Sequence, residues 1–269
     1  MKKLFLSACL ALLTSVANAA GGVVSLGGSV TEIIYALGQG EQLIATDYSS
    51  LYPEEASELP QVGYYRAVGV EGLVSTMPTV VIASEKSGPK EALERLTELG
   101  IEVQLVSDQG TLDSLYERIA QVAQLLDAEE QGERLRQEVK TAVAEAMSLP
   151  SKPYRAALVI NRTGTFQAAG GATSANELMR LAGFENIFIE QQSYKPISKE
   201  SFLALQPEVI ITTKASLETS GGLEQFKNDP TIANTPATTT GKIVVMDDLL
   251  ALGMGPRVSE AIRLLRSVP

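Results

Sequence analysis

Two adjacent tyrosines followed by an arginine are the residues in this sequence best suited to bind a ligand. Tyr64, Tyr65 and Arg66 come after the stretch Leu59–Gly63, whose proline and glycine predict an ordered loop. A nearby cation favours the phenolate form of tyrosine, and phenolate oxygen is a hard donor suited to ferric iron. Consecutive side chains of an extended segment point in opposite directions, so at most one tyrosine faces a given cleft. The alternative is that one tyrosine packs and the other lies on the surface without a function.

The sequence contains no histidine. This removes the commonest general base and the commonest metal-binding side chain. Ser-His-Asp and Cys-His catalysis are excluded, as are zinc sites that depend on histidine. A catalyst built from carboxylates alone stays open, but the acidic residues form no compelling pair. We therefore predict that the protein is not an enzyme.

The N-terminal segment predicts export. A short basic start precedes the apolar stretch Leu4–Val16, and Ala17-Asn18-Ala19 provides small residues for cleavage. This is the pattern of a secretory signal peptide over residues 1–19, so we expect the mature protein to be exported. A lipoprotein processing site at Leu6–Cys9 is the weaker alternative.

The charge of the chain argues against polyanionic partners. The sequence has 22 basic and 32 acidic residues, which gives a net charge of −10. Such a chain is a poor binder of nucleic acid or of anionic membranes.

A repeated pattern surrounds these candidate residues and indicates two similar α/β units. The same order of residues occurs in Glu71–Ser84 and in Glu200–Thr213. Each segment begins with a glutamate that is followed by apolar residues at helical spacing. A proline comes seven residues after the glutamate, and a run of β-branched residues follows it. A second pair agrees, because a strand-like segment leads to a helical segment and a glycine in both Val23–Gly38 and Leu158–Gly183. Chance similarity between α/β units is the alternative.

Between the two repeats lies a segment that predicts one long helix. Ala128–Met147 is rich in Ala, Glu, Gln and Leu, contains no proline and has an apolar stripe. The predicted fold class is therefore α/β, with two Rossmann-like lobes that have central parallel sheets and are joined by one long α-helix. We expect the lobes at residues 20–126 and 150–269 and the linking helix at 127–149. Parallel α/β sheets bind ligands at the carboxyl ends of their strands, so the cleft should lie between the lobes.

The glycine-rich turn Gly27-Gly28-Ser29 predicts the start of the first helix. Ser29 or Thr31 is the expected N-cap, with Glu32 in the first turn. The turn lacks the GxGxxG spacing of a dinucleotide-binding site.

Three segments give the chain a specific resemblance. The chain resembles the periplasmic haem-binding proteins of bacterial haem-uptake ABC transporters in Val24–Ile33, Leu59–Tyr64 and Gly253–Arg257. The similarity covers nearly the whole mature chain. These proteins belong to the helical-backbone, class III solute-binding proteins, which also include cobalamin- and siderophore-binding members. The resemblance implies two lobes with a linking helix.

The resemblance also implies roles for particular residues. Tyr64 corresponds to the tyrosine that ligates the haem iron, and Arg66 could support its phenolate or a haem propionate. Arg257 corresponds to a cleft arginine, whose guanidinium could bind a propionate. Glu71 and Glu200 correspond to paired glutamates that dock onto the permease dimer, one from each lobe. Their alternative interpretation is ordinary charge in the first turn of a helix.

The sequence departs from this pattern at one place. Some members supply a histidine after the first strand of the C-terminal lobe, where this chain has Asn161 and Arg162. We therefore expect Tyr64 alone as protein ligand of the iron, with Arg162, water or Met254 on the far face and Tyr65 as the rival ligand. The expected cargo is haem b as ferric hemin, carried by a monomer to an ABC permease. A siderophore or cobalamin carrier of the same architecture is the alternative, and a secreted enzyme is a weaker one.

Overall fold

The computed structural model describes residues 22–269, so the predicted signal peptide at 1–19 lies outside the described residues. Within them the chain forms two β-sheets covered by helices, and this confirms the α/β fold class. The first sheet is parallel throughout, in the order β2-β1-β3-β4. Its strands are β1 (Val23–Leu26), β2 (Leu43–Thr46), β3 (Val80–Ser84) and β4 (Glu102–Val106). Its helices are α1 (Gly28–Ala36), α2 (Glu54–Glu58), α3 (Val70–Ser75), α4 (Lys90–Glu98) and α5 (Leu112–Leu125).

The second sheet is mixed rather than parallel. Its order is β10-β9-β5-β6-β8, and β7 also pairs with β5. Strands β5, β7, β9 and β10 are parallel, whereas β6 is antiparallel to both β5 and β8. The connection from β5 to β6 is too short for the crossover that a parallel pair requires, so β6 returns as a hairpin. The strands are β5 (Arg155–Asn161), β6 (Phe166–Ala169), β7 (Glu185–Asn186), β8 (Tyr194–Pro196), β9 (Val209–Thr213) and β10 (Ile243–Met246).

The remaining helices connect and cover the second sheet. Helix α6 (Glu129–Ser148) is the long helix between the two sheets in sequence, and it contacts α5 on one side and α13 on the other. The others are α7 (Ser174–Ala182), α8 (Lys199–Leu205), α9 (Lys214–Thr219), α10 (Leu223–Asn228), α11 (Pro236–Thr239), α12 (Asp248–Leu252) and α13 (Val258–Arg266). The predicted repeat is present, because α3 leads into β3 as α8 leads into β9. No helix in residues 22–269 is long and apolar enough to cross a lipid bilayer.

The inner core is shared between the two halves. One buried apolar cluster includes Ile33 of α1, Ile119 of α5, Val143 of α6, Met179 of α7 and Ile262 of α13. Each sheet also has a smaller core on its other face. The halves are therefore held together by a continuous apolar contact as well as by the backbone of α6.

The start of α1 differs from the prediction. The N-cap is Gly27 with φ 109°, and neither Ser29 nor Thr31 caps the helix. The reason is close approach: a Cβ atom on Gly28 would lie 2.2 Å from the carbonyl oxygen of Ser49. Only glycines let the loop after β2 pack this tightly against the turn.

Candidate functional site

A buried carboxylate anchors the loop that carries the two tyrosines. Asp47, which follows β2, is 0% exposed. Its carboxylate accepts hydrogen bonds from the backbone N–H of Gly27 (3.0 Å) and of Tyr65 (3.2 Å). The N–H of Tyr48 also donates to the carbonyl of Gly63 at 2.8 Å. The tyrosine loop is thereby tied to the carboxyl ends of the first sheet, where the cleft was expected.

The two tyrosines face different environments. Tyr64 is 45% exposed, and its hydroxyl has no hydrogen-bond partner within residues 22–269. Tyr65 is half-buried, packs against the outer core of the first sheet, and accepts a 2.8 Å hydrogen bond from Nε of Arg66. The rings meet edge to face with centroids 5.0 Å apart. Tyr64 thus presents its phenol to solvent and Tyr65 supports the loop.

Burial raises the pKa of the Tyr65 hydroxyl to about 12, although the positive charge of Arg66 acts in the opposite direction. The expectation that a neighbouring cation favours phenolate is therefore wrong for Tyr65, because desolvation is the larger effect. This makes Tyr65 a poor source of a phenolate ligand at neutral pH.

Arg162 lies at the end of the central strand of the second sheet. It directly follows β5, its side chain is 45% exposed, and its Nη2 is 2.5 Å from Oδ1 of Asp248. The remaining guanidinium N–H groups make no hydrogen bond to any residue that the structure describes. Arg162 is therefore an available cation at the carboxyl end of the central strand of the second sheet.

Tyr194, the first residue of β8, is a partly buried phenol that the sequence analysis did not single out. Burial raises the pKa of its hydroxyl well above the usual range, and the charges of Arg66, Tyr65, Arg162 and Tyr64 also act on this group. The only sequence signal was an aromatic residue in a chain with 5% aromatics, and no motif marks it.

Arg257 is used inside the protein rather than at the open face of the site. Its Nε is 3.1 Å from Glu32 and its Nη1 is 3.3 Å from Asp247. The guanidinium carbon lies 3.6 Å from the centre of the Tyr52 ring. The guanidinium thus joins the segment before α13 to α1, while its Nη2 is buried without a hydrogen-bond partner among the described residues. The propionate contact of Arg257 stays a prediction.

Met254 is also unavailable in this conformation. It is 4% exposed and belongs to the shared inner core. Its carbonyl oxygen accepts a 2.6 Å hydrogen bond from Nη2 of the buried Arg118 on α5. We therefore do not retain its thioether as a ligand for the far face of the iron.

The two glutamates predicted to dock occupy equivalent positions. Glu71 lies in the first turn of α3 and Glu200 in the first turn of α8. Both are exposed, and neither carboxylate has a hydrogen-bond or ion-pair partner within the described residues. They are free to interact with another molecule.

The chain forms two α/β units that share a core and are connected by a long helix. A loop with an exposed tyrosine is anchored at the strand ends of the first unit. These features define a two-lobed solute-binding protein. Residues 23–250 match the family described as periplasmic binding protein, and the chain belongs to this family. The family and the relatives below are solute-binding proteins, not enzymes.

Solved structures confirm the resemblance to periplasmic haem-binding proteins. RhuT from Roseiflexus sp. RS-1, a periplasmic haem-binding protein in apo form, is 35% identical with a TM-score of 0.87, and the match covers 92% of this chain and 97% of that one. HutB of Vibrio cholerae, also a periplasmic haem-binding protein, is 34% identical with a TM-score of 0.80 over 92% and 98% of the two chains. In contrast, a vitamin B12-binding protein of Vibrio parahaemolyticus is 30% identical over 79% of this chain and 78% of its own.

Proposed function

We propose that the protein binds haem, as ferric hemin, in the periplasm and delivers it to an ABC permease of the inner membrane. The observation that carries the proposal is the exposed phenol of Tyr64, whose hydroxyl bonds to none of the described residues and which sits on a loop fixed by Asp47. Tyrosine is one of the side chains that hold haem iron in proteins. The likeness to RhuT and HutB supports the same ligand.

The charges around Tyr64 favour haem over cobalamin. Arg66 lies beside Tyr65 in the first half of the chain, and Arg162 follows β5 in the second half. Haem carries two propionate carboxylates that guanidinium groups bind well, whereas the side chains of cobalamin's corrin ring are amides. Cobalamin is the second candidate, because the curated relative from Vibrio parahaemolyticus is named for vitamin B12 binding.

The test is titration of the purified protein and of Tyr64→Phe with hemin and, separately, with cyanocobalamin. We expect the wild type to bind hemin with a ferric phenolate spectrum and to bind cyanocobalamin far more weakly. Tyr64→Phe should lose this spectrum and raise the Kd for hemin at least about tenfold. Tyr48→Phe is the matched control, since Tyr48 is 58% exposed on the neighbouring loop and should leave the spectrum unchanged.

Tight binding of cyanocobalamin without hemin binding would replace the haem proposal by the cobalamin one. Hemin binding with an unchanged spectrum in Tyr64→Phe would reject Tyr64 as the iron ligand while leaving haem as the cargo.

A further inference from the structure

The chain contains few side chains that can offer nitrogen or sulfur to the iron of a bound haem. It has no histidine, and its one cysteine, Cys9, lies outside the described residues. Haem iron in proteins is held by histidine, methionine, cysteine or tyrosine. Tyrosine is the one of these that binds through oxygen, so methionine is the remaining soft donor to consider.

The methionines of the described residues are not presented at the tyrosine loop. Met179, Met246 and Met254 are each 4% exposed or less and belong to the shared inner core. Met147 lies in the last turn of α6, and Met77 lies shortly before β3. Both of these lie on segments that lead into the amino end of a strand, whereas the tyrosine loop is tied to the carboxyl ends. Within residues 22–269, no thioether is therefore placed to bind iron beside the exposed phenol.

The charged groups next to the tyrosine loop cannot replace these donors. The loop after β3 contacts it, because Gly88 donates its N–H to the carbonyl of Tyr65 at 2.9 Å. On that loop, Nζ of Lys86 lies 3.7 Å from Asp108, and an ammonium group has no lone pair for a metal. The guanidinium of Arg66, which bonds the Tyr65 hydroxyl, has none either. The surroundings of the exposed phenol therefore offer cations and oxygen atoms.

Such a set of groups distinguishes the two oxidation states of haem iron. A phenolate is a hard, negatively charged donor that suits ferric iron. Ferrous iron carries one positive charge less, so its attraction to an anionic oxygen is weaker. The side chains that favour the ferrous state of haem, such as the methionine and histidine of c-type cytochromes, are not supplied at this site.

We propose that the site is selective for ferric haem and that one-electron reduction of the iron releases the cargo. This inference rests on the proposed haem function, with Tyr64 as the iron ligand. In the release step the iron takes one electron from a one-electron reductant, and the bond between iron and the phenolate oxygen breaks. The electron pair of that bond stays on the oxygen, which takes up a proton from the solvent. Tyr64 is 45% exposed, which gives its oxygen access to the solvent.

The experiment measures the Kd of the full protein for hemin and, without air and with dithionite as the reductant, for ferrous haem. The Kd for ferrous haem should be at least about a hundredfold higher. The midpoint potential of the bound haem should then lie about 120 mV below that of free haem, because a tenfold change in a one-electron equilibrium corresponds to 59 mV. The chain has a single cysteine, so dithionite has no internal disulfide to cleave.

Tyr64→His tests the donor itself. An imidazole holds haem iron in both oxidation states, so this variant should bind ferrous haem within about tenfold of hemin. Glu138→His is the matched control, because Glu138 is exposed on α6 and the variant adds a histidine without changing the tyrosine loop. It should keep the preference of the wild type for hemin.

Equal Kd values for hemin and ferrous haem in the wild type would overturn the inference and leave the haem proposal intact, and this result needs no variant. A preference for hemin that persists in Tyr64→His would also overturn it, since a group other than the phenolate would then reject ferrous haem. The same holds if Glu138→His binds ferrous haem as tightly as Tyr64→His does. Failure of the wild type to bind hemin at all overturns the haem proposal itself, and this inference with it.

Discussion

Tyr64 and Tyr65 are neighbours in the chain, but their hydroxyl groups have different surroundings. The hydroxyl of Tyr64 is exposed and makes no hydrogen bond within residues 22–269, whereas Tyr65 packs on the outer core and accepts a hydrogen bond from Arg66. The alternation of side chains predicts one inward and one outward tyrosine, but not which is which. The choice is made by Asp47, which bonds the N–H of Tyr65 from 18 residues earlier in the chain.

At the scale of this residue, Tyr65 makes stability depend on pH under alkaline conditions. Its pKa is about 12 in the folded protein, against about 10 for an unperturbed tyrosine. Below about pH 10 the hydroxyl is protonated in both states; between about pH 10 and pH 12 the unfolded state loses the proton first, so the free energy of unfolding falls. We expect this fall to be smaller in Tyr65→Phe.

Denaturant unfolding followed by circular dichroism at pH 8, 10 and 11 measures this difference. If the free energy of unfolding falls with pH by the same amount in the wild type and in Tyr65→Phe, the predicted pKa effect is contradicted. The hemin spectrum provides the control, because Tyr65→Phe keeps Tyr64 and should retain the phenolate signature.

At the scale of the element, the tyrosine loop depends on the carboxylate of Asp47. Asp47→Ala leaves the N–H groups of Gly27 and Tyr65 without their acceptor in a buried place. We expect the free energy of unfolding to fall by roughly 2 to 4 kcal/mol and the Kd for hemin to rise, because Tyr64 is no longer fixed. Urea unfolding and hemin titration measure the two effects.

Asp113→Ala is the control for this prediction, since Asp113 is an exposed first-turn residue of α5. It should change both quantities little. If Asp47→Ala lowers stability but binds hemin as tightly as the wild type, the carboxylate supports the fold without positioning Tyr64.

The helices and strands also show how much of the fold can be predicted from the sequence. The helix and strand order of the repeat and the long helix α6 follow from local periodicity, and the structure has them with small shifts in their ends. The antiparallel strands β6 and β8 were not predicted, because both are short and β8 pairs with β6 across a long stretch of the chain. Tyr194 was not singled out for the same reason, since it lies in β8.

Charged residues with distant partners were the least predictable part of the site. Arg257 was expected to face a ligand, but it bonds Glu32, which is 225 positions away in the chain. Burial raises the pKa of Glu32 while the charge of Arg257 opposes this shift. No local pattern reveals that the carboxylate of α1 and this arginine neutralise each other.

At the scale of the whole molecule, Arg118 joins the two halves. It is 0% exposed and donates to Asp108 at 2.8 Å and to the carbonyl of Met254 at 2.6 Å. Arg118→Met removes the buried cation beside Asp108, which keeps the hydroxyl of Ser84 at 2.8 Å and Lys86 at 3.7 Å, and it leaves the carbonyl of Met254 without this donor. We expect the free energy of unfolding to fall by about 2 to 4 kcal/mol. Because the inner core is continuous, the wild type and Arg118→Met should each unfold in a single transition.

Arg134→Met is the matched control, because Arg134 lies exposed on α6 in an ion pair with Glu130. Such a pair contributes at most about 1 kcal/mol. Calorimetry and denaturant unfolding measure both variants. Two separate transitions in the wild type would show that the halves unfold independently and that the shared core does not couple them.

Delivery of the ligand is the last property that belongs to the whole molecule, since it requires one carboxylate on each half. Glu71 and Glu200 begin equivalent helices and are exposed, so the double variant Glu71→Ala, Glu200→Ala should reduce hemin uptake by cells while leaving the Kd for hemin unchanged. The matched control is Glu91→Ala with Glu260→Ala, which also removes one exposed first-turn glutamate from each half. If the control lowers uptake equally, net negative charge rather than position guides docking. If the first pair lowers affinity and uptake together, these glutamates act on the binding site and the docking role is wrong.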